Sequence, residues 1–194
     1  RAELGLAPDA RLVVSVDRLD YTKGIEERLR TYERTLERWS TSGEPLVFLQ
    51  VGAPSRVRID RYREFGERVR REVARINERF SDCGGRSPAA PPVLLLDRHC
   101  EPEEVFRFYR AADVCYVSSL HDGMNLVAKE FVAARDDERG VLMLSRFAGA
   151  ARELTEALVV NPYDVEAVAD VLVAAVTRRR NPETSKGSGA WSRG

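Results

Sequence analysis

Two histidines and three cysteines are all the imidazole and thiol metal ligands that 194 residues contain. Cys83, Cys100 and Cys115 are odd in number and far apart, with no CxxC pair and no Cys/His cluster, so their spacing offers no zinc site. Cys115 lies inside an apolar run, and buried thiols fit a reducing, cytoplasmic setting. Carboxylates are plentiful but show no metal-ligand spacing, and neither a metal nor a cofactor is expected. No apolar run approaches the length that spans a bilayer, which leaves no membrane partner to expect. Charge of one sign is also missing: Lys plus Arg and Asp plus Glu both number 31, without the basic surplus of a general nucleic-acid binder. There is no GxGxxG after the first apolar run, no GxxxxGK[ST] and no GxSxG. An ordinary dinucleotide fold, a P-loop enzyme and an α/β-hydrolase therefore lack support. The opening, Arg-Ala-Glu-Leu-Gly-Leu-Ala-Pro, is neither a signal nor a transit peptide. It reads as the end of a helix before a loop and, with no initiator Met, as the start of a piece of a longer protein.

What is present is alternation. With 43% hydrophobic residues, the chain can bury one sizeable core. Arg11 to Val16, Leu46 to Val51, Val93 to Leu96, Asp113 to Val117, Val141 to Leu144 and Leu158 to Val160 are short, continuous apolar runs, the pattern of buried parallel strands. Between them, apolar residues recur at helical spacing: Ile25, Leu29, Tyr32, Leu36 and Trp39; then Tyr62, Phe65, Val69, Val73, Ile76 and Phe80; then Val105, Phe106 and Tyr109 in a helix over Glu101 to Ala111. The charged face of the second helix reads as a solvated surface laced with i,i+4 pairs. Six strands alternating with helices predict one α/β domain, a doubly wound parallel sheet, over residues 1–177. Periodicity stops near Arg178, and residues 178–194 read as a disordered, atypical tail.

Right-handed crossovers bring every loop after a strand to one edge of such a sheet, where ligands bind at the switch point. The loops that matter are then 17–24, 52–58, 97–101, 118–124 and 145–149. The stretch Ser119 to Arg135 is the most informative: an apolar run, a turn at Asp122-Gly123, then a helical pattern. Strand, glycine turn and helix aim free N–H groups at an anion, and Gly123 lets a ligand approach the main chain. Asp122 can accept from hydroxyls, and Glu130, about two turns into the helix, points a carboxylate toward the same mouth. The alternative is a capped turn followed by an exposed helix residue. Arg18 and Lys23 flank the turn after the first strand and suit a diphosphate; they can equally pair with Asp17, Asp20 or Glu26. Arg56 follows the second strand and His99 the third. A lone histidine such as His99 is more often structural than catalytic.

Three segments together form a recognisable pattern: Val16-Asp17-Arg18-Leu19-Asp20-Tyr21-Thr22-Lys23-Gly24-Ile25, Asp122-Gly123-Met124-Asn125-Leu126-Val127-Ala128-Lys129-Glu130, and Ser145-Arg146-Phe147-Ala148-Gly149-Ala150-Ala151-Arg152-Glu153-Leu154. With Asn161-Pro162-Tyr163-Asp164, they closely resemble the trehalose-6-phosphate synthase family, glycosyltransferase family 20, in one colinear order to about Val176. The resemblance implies the C-terminal, Rossmann-like, nucleotide-sugar half of a two-domain GT-B glycosyltransferase. It implies that Arg18 and Lys23 bind the donor diphosphate and that Asp122 and the backbone of Gly123, Met124, Asn125 and Leu126 hold donor glucose and phosphate. Glu130 then binds ribose beside Leu126 and Val127, and Arg56 and His99 line the donor site.

The implied reaction moves glucose from a nucleotide sugar to glucose 6-phosphate with retention, through a front-face mechanism and without a tightly bound metal. UDP-glucose, GDP-glucose and ADP-glucose all stay open as donors, and homo-oligomerisation stays open as well. An acceptor domain and the terminal helical segment of the family are absent from the sequence, so the isolated chain is expected to bind donor and not to turn over. Two other readings are a relative that uses glycerol phosphate or a cyclitol phosphate as acceptor, and a non-catalytic domain that associates with a full-length synthase.

Overall fold

The computed structural model describes residues 1–39, 44–53, 60–81, 90–137 and 139–178. Its strands are β1 (Arg11–Arg18), β2 (Leu46–Ala53), β3 (Val93–Leu96), β4 (Val114–Val117), β5 (Val141–Ser145) and β6 (Leu158–Val160). They form one sheet in the order β3-β2-β1-β4-β5-β6, every pair parallel. This is the doubly wound order whose direction reverses between β1 and β4. Its helices are α1 (Ile25–Trp39), α2 (Asp60–Phe80), α3 (Pro102–Ala111), α4 (Leu126–Ala134) and α5 (Val165–Arg178).

Both faces of the sheet are covered, and the side-chain alternation of β1 shows how. Val13 joins a core with Leu29 and Tyr32 of α1, Phe65 and Val69 of α2, and Val168 and Leu172 of α5. Leu12 and Val14 point the other way, into a core with Phe108 and Tyr109 of α3 and Phe131 of α4. The continuous apolar runs follow from this burial on two sides. Two expectations need correction. Phe106 is 39% exposed and Phe108 is buried in its place, because the stripe of α3 that packs on the sheet and on Phe131 of α4 is Val105, Phe108 and Tyr109. Asp17 and Arg18, expected in a loop, extend β1, paired with Gly52 and Ala53. The tail 179–194, with Trp191, lies outside the described residues, as do Arg56 and Cys83.

The least expected core residue is Arg28. It occupies the inward stripe of α1, three residues after Ile25 and four before Tyr32, and its side chain is completely buried. Its guanidinium donates to Asp17 Oδ2 at 2.7 Å, Gln50 Oε1 at 2.7 Å, Ser118 Oγ at 2.9 Å and the Lys23 carbonyl at 3.1 Å. One side chain thus ties α1 to β1, β2 and the segments that follow β1 and β4. Removing one member of a buried pair leaves a charge with no compensation, a loss of about 3–5 kcal/mol. Arg28→Ala should therefore lower the urea midpoint by that equivalent. The double variant Asp17→Asn, Arg28→Met, which removes both charges, should lose clearly less. An Arg28→Ala midpoint close to the parent's would contradict the network.

Candidate functional site

The switch point places the end of β1 beside the end of β4. After β1, Asp20 caps a single 3-10 turn, Tyr21–Lys23, by accepting from Thr22 N–H and Thr22 Oγ1, each at 2.9 Å. Gly24 follows with φ 64°, and a Cβ there would lie 2.3 Å from the Ser118 carbonyl oxygen. Glycine is needed for the dihedral and for the approach of the two loops. Leu120 N–H donates to the Thr22 carbonyl at 2.8 Å, and Ser118 Oγ donates to the Gly24 carbonyl at 2.9 Å. The two loops are thereby fixed side by side.

Across that seam, Lys23 Nζ donates to Asp122 Oδ2 at 2.6 Å. Lys23 pairs with neither Asp20 nor Glu26, the sequence-local partners. Asn125 Nδ2 donates to the same Asp122 oxygen at 3.1 Å, and Met124 N–H donates to Asp122 Oδ1 at 3.3 Å. Asn125 stands at φ 72°, ψ 90°, the only non-glycine residue with positive φ among the described residues. It is also the N-cap of α4, its Oδ1 accepting from Ala128 N–H at 3.0 Å. Asn is among the few side chains that tolerate this backbone region, and here it both caps the helix and orients the aspartate. Arg18 ends β1 exposed, with no side-chain hydrogen bond or ion pair to a described residue.

A second seam holds the 122–124 turn from the β5 side. Asp122 N–H donates to the Phe147 carbonyl, Gly149 N–H to the Asp122 carbonyl at 2.9 Å, and Ala150 N–H to the Met124 carbonyl at 2.7 Å. A Cβ on Gly149 would lie 2.0 Å from the Gly123 carbonyl oxygen, whereas a Cβ on Gly123 would meet nothing within 4 Å. Gly149 is the packing glycine, and Gly123 faces open space. Met124 and Leu126 are 50% and 60% exposed at the same mouth, beside the edge-on pair Phe147 and Tyr163, while Val127 is half-buried.

Glu130 lies in the second turn of α4, half-buried, where its Oε2 accepts from the Tyr109 hydroxyl at 3.2 Å. His99 is exposed after β3, two strands from β1, and its side chain has no hydrogen bond or ion pair to a described residue. The structure thus brings together Lys23, Asp122, Gly123, Met124, Asn125 and Leu126, with Arg18 on the same edge. It holds Glu130 a turn further along α4 and His99 on the outer strand. Sequence reading missed Arg28, Ser118 and Tyr109 as supports. Arg28 did carry a signal, a charged residue on the apolar stripe of α1; Ser118 carried none.

Partial burial pushes the Asp122 carboxyl up, but hydrogen bonds from Lys23 and Asn125 and the Lys23 charge outweigh it and hold the group below the usual carboxylate range. A depressed value means that the pair stabilises the fold at neutral pH and loses that contribution as pH falls through it. Lys23→Ala leaves burial without its main counterweight, so Asp122 should titrate at higher pH in that variant, read by carboxyl NMR. An unchanged or lower midpoint would contradict the pairing.

Comparison with known proteins bears on the same residues. Residues 5–192 match the model of glycosyltransferase family 20. The trehalose-6-phosphate synthase of Mycolicibacterium smegmatis is 45% identical over 186 residues, 96% of this chain and 35% of that protein. An α,α-trehalose-phosphate synthase (UDP-forming) from Burkholderia xenovorans, solved in complex with glucose 6-phosphate, superposes with a TM-score of 0.80 at 43% identity, covering 87% of this chain and 36% of that one. A trehalose-6-phosphate synthase studied with bisubstrate glycomimetics for glycosyltransfer with retention gives a TM-score of 0.82 at 40% identity, covering 91% and 39%. The chain thus spans about a third of the length of the relatives it matches. With the family model covering nearly all of it, and the doubly wound sheet superposing on solved members, the chain belongs to glycosyltransferase family 20.

Proposed function

We propose that this chain is the nucleotide-sugar-binding part of a trehalose-6-phosphate synthase, and that residues 1–177 are its donor domain. The observation that carries the reading is the Lys23–Asp122 pair at the switch point, beside the capped start of α4 and the open main chain at Gly123. In this reading Arg18 and Lys23 hold the donor diphosphate, and Lys23 shares its three donors between phosphate oxygens and Asp122. Asp122, kept ionised, accepts from donor glucose hydroxyls. The Gly123–Leu126 main chain lies along the sugar and phosphates, and the Glu130 carboxylate takes the ribose hydroxyls. His99 and Arg56 keep in this reading the part the family resemblance gives them, lining the donor site.

The chemistry proposed is transfer of glucose to the 1-hydroxyl of glucose 6-phosphate with retention. The bond from glucose C1 to the phosphate oxygen breaks while the acceptor oxygen bonds C1 on the same face. The hydroxyl proton passes to the departing phosphate oxygen, and Arg18 and Lys23 stabilise the charge that develops there. UDP-glucose is the donor we favour, because a similar synthase is UDP-forming; GDP- and ADP-glucose are the alternatives. The chain spans about a third of its relatives' length, so in this reading the acceptor is assigned to the rest of the synthase, and the chain by itself is expected to bind donor without turning it over. A cytoplasmic setting belongs to the same proposal, in keeping with the unpaired, buried Cys100 and Cys115.

Calorimetric titration with UDP, GDP and ADP should show saturable binding of one of them. A charge-assisted hydrogen bond is worth about 1.5–3 kcal/mol, and 1.4 kcal/mol is about a factor of ten. Arg18→Ala with Lys23→Ala should therefore weaken binding at least about 100-fold. A folded chain that binds none of the three, or a double variant that binds as well as the parent, would overturn the reading. The two glycines give a sharper contrast. Gly149→Ala should lose about 1–3 kcal/mol of stability by overpacking. Gly123→Ala should melt with the parent and yet bind the nucleotide sugar several-fold more weakly, and undiminished binding would place the ligand elsewhere.

A further inference from the structure

α3 carries no residue of the proposed donor site, yet one of its side chains reaches that site. Tyr109 is fully buried, with its ring edge-on to Phe131 of α4 at 6.0 Å, and its hydroxyl donates to Glu130 Oε2 at 3.2 Å. Among the described residues Glu130 has no other hydrogen bond or ion pair; its neighbour Lys129 turns away to Glu153. A phenol hydroxyl held in a core by ring packing is a fixed donor, while a glutamate side chain by itself is a loose acceptor. Burial pushes the ionisation of Tyr109 upward, so the group remains a donor at every pH of interest. The 3.2 Å separation is at the long end for a hydroxyl–carboxylate bond.

We propose that Tyr109 is a positioning residue for the ribose-binding carboxylate, anchoring Glu130 through Oε2 so that Oε1 is presented to the ribose hydroxyls. The inference rests on the donor-site reading above and adds to it how the nucleoside end is oriented. Pre-ordering the carboxylate removes an entropic cost that each bound nucleotide would otherwise meet. A tyrosine that serves only to pack α3 against α4 would act on any nucleotide equally. One that positions Glu130 acts only on nucleotides that carry the ribose hydroxyls.

The test uses the full chain and whichever of UDP, GDP and ADP binds it tightest, against the 2′,3′-dideoxy analogue of that nucleotide. By calorimetry, Tyr109→Phe should weaken the ribonucleotide about five- to tenfold and the dideoxy analogue less than about twofold, and in a Glu130→Ala background it should have no further effect. Equal losses for both ligands, or a Tyr109→Phe penalty that persists without Glu130, would overturn the positioning role and leave the donor site standing. Failure of the parent chain to bind any of the three would overturn the donor-site reading itself. Should Tyr109→Phe not fold, Glu130→Asp carries the test, because it withdraws the carboxylate from the hydroxyl without disturbing α3. Its preference for ribose over dideoxyribose should fall to that of Glu130→Ala, and a retained preference would refute the anchor.

Discussion

A guanidinium with no access to water sets the constraint on which the site depends. Burying Arg28 carries a desolvation penalty of several kcal/mol, tolerable only if nearly every donor finds an acceptor. Asp17, Gln50, Ser118 and the Lys23 carbonyl are those acceptors, and they come from β1, β2, the segment after β4 and the turn before α1. The pair is poor evidence for stability as such, since apolar replacements of the same shape commonly do as well. What it enforces is register: no shift of one loop against the other keeps all four bonds. The Lys23 backbone is among the things so pinned, and Lys23 is the cation that meets Asp122.

That meeting has a consequence for binding. Lys23 and Asp122 satisfy each other at 2.6 Å, so neither has to be held apart as an isolated charge. An incoming diphosphate adds negative charge beside an aspartate, which alone would oppose it; the lysine between them turns the trio into an alternating arrangement. Arg18, exposed and without a partner among the described residues, gives up no internal hydrogen bond to bind. The two cations therefore differ: Lys23 is pre-oriented and partly neutralised by Asp122, while Arg18 is exposed, and in the proposed donor site it would be the one to follow charge onto the departing phosphate.

Much of this is legible in the sequence because the signals are periodic or local. Six apolar runs at the spacing of βα units point to a doubly wound parallel sheet and, once handedness is applied, to its ligand edge; each run falls on an observed strand. The misses share a cause. Phe106 and Phe108 are two apart on one short helix and so point about 200° apart; packing against the sheet and α4 selects the stripe of Val105, Phe108 and Tyr109, which a three-residue pattern does not separate from that of Val105, Phe106 and Tyr109. For Arg28 the charge misleads, and its position on the stripe of Ile25 and Tyr32 is the better guide. The Lys23–Asp122 bond spans 99 residues, and nothing in either local sequence distinguishes that partner from Asp20 or Glu26. Conversely, Gly123 and Gly149 look alike in sequence, and only the structure shows that one faces open space and the other a carbonyl.

The site is also divided by element in a way that suits an elongated ligand. On the proposed reading the phosphate end belongs to the loops after β1 and β4, locked through Arg28. On the same reading the nucleoside end belongs to α4, which Tyr109 of α3 meets at Glu130. α4 is the ruler between them: from the cap at Asn125 to Glu130 the helix rises about 7.5 Å, at about 1.5 Å per residue, comparable to the reach from a ribose phosphate to the ribose hydroxyls. Because a helix has no soft internal register, that spacing cannot drift with loop motion. Binding strength can then change with how completely Gly123, Met124 and Leu126 are covered, while the position of the ligand along the helix stays fixed. On the proposed reading, a site half-covered in this way would hold a nucleotide in one register along the helix, which suits a transfer in which acceptor and leaving group share one face of the sugar.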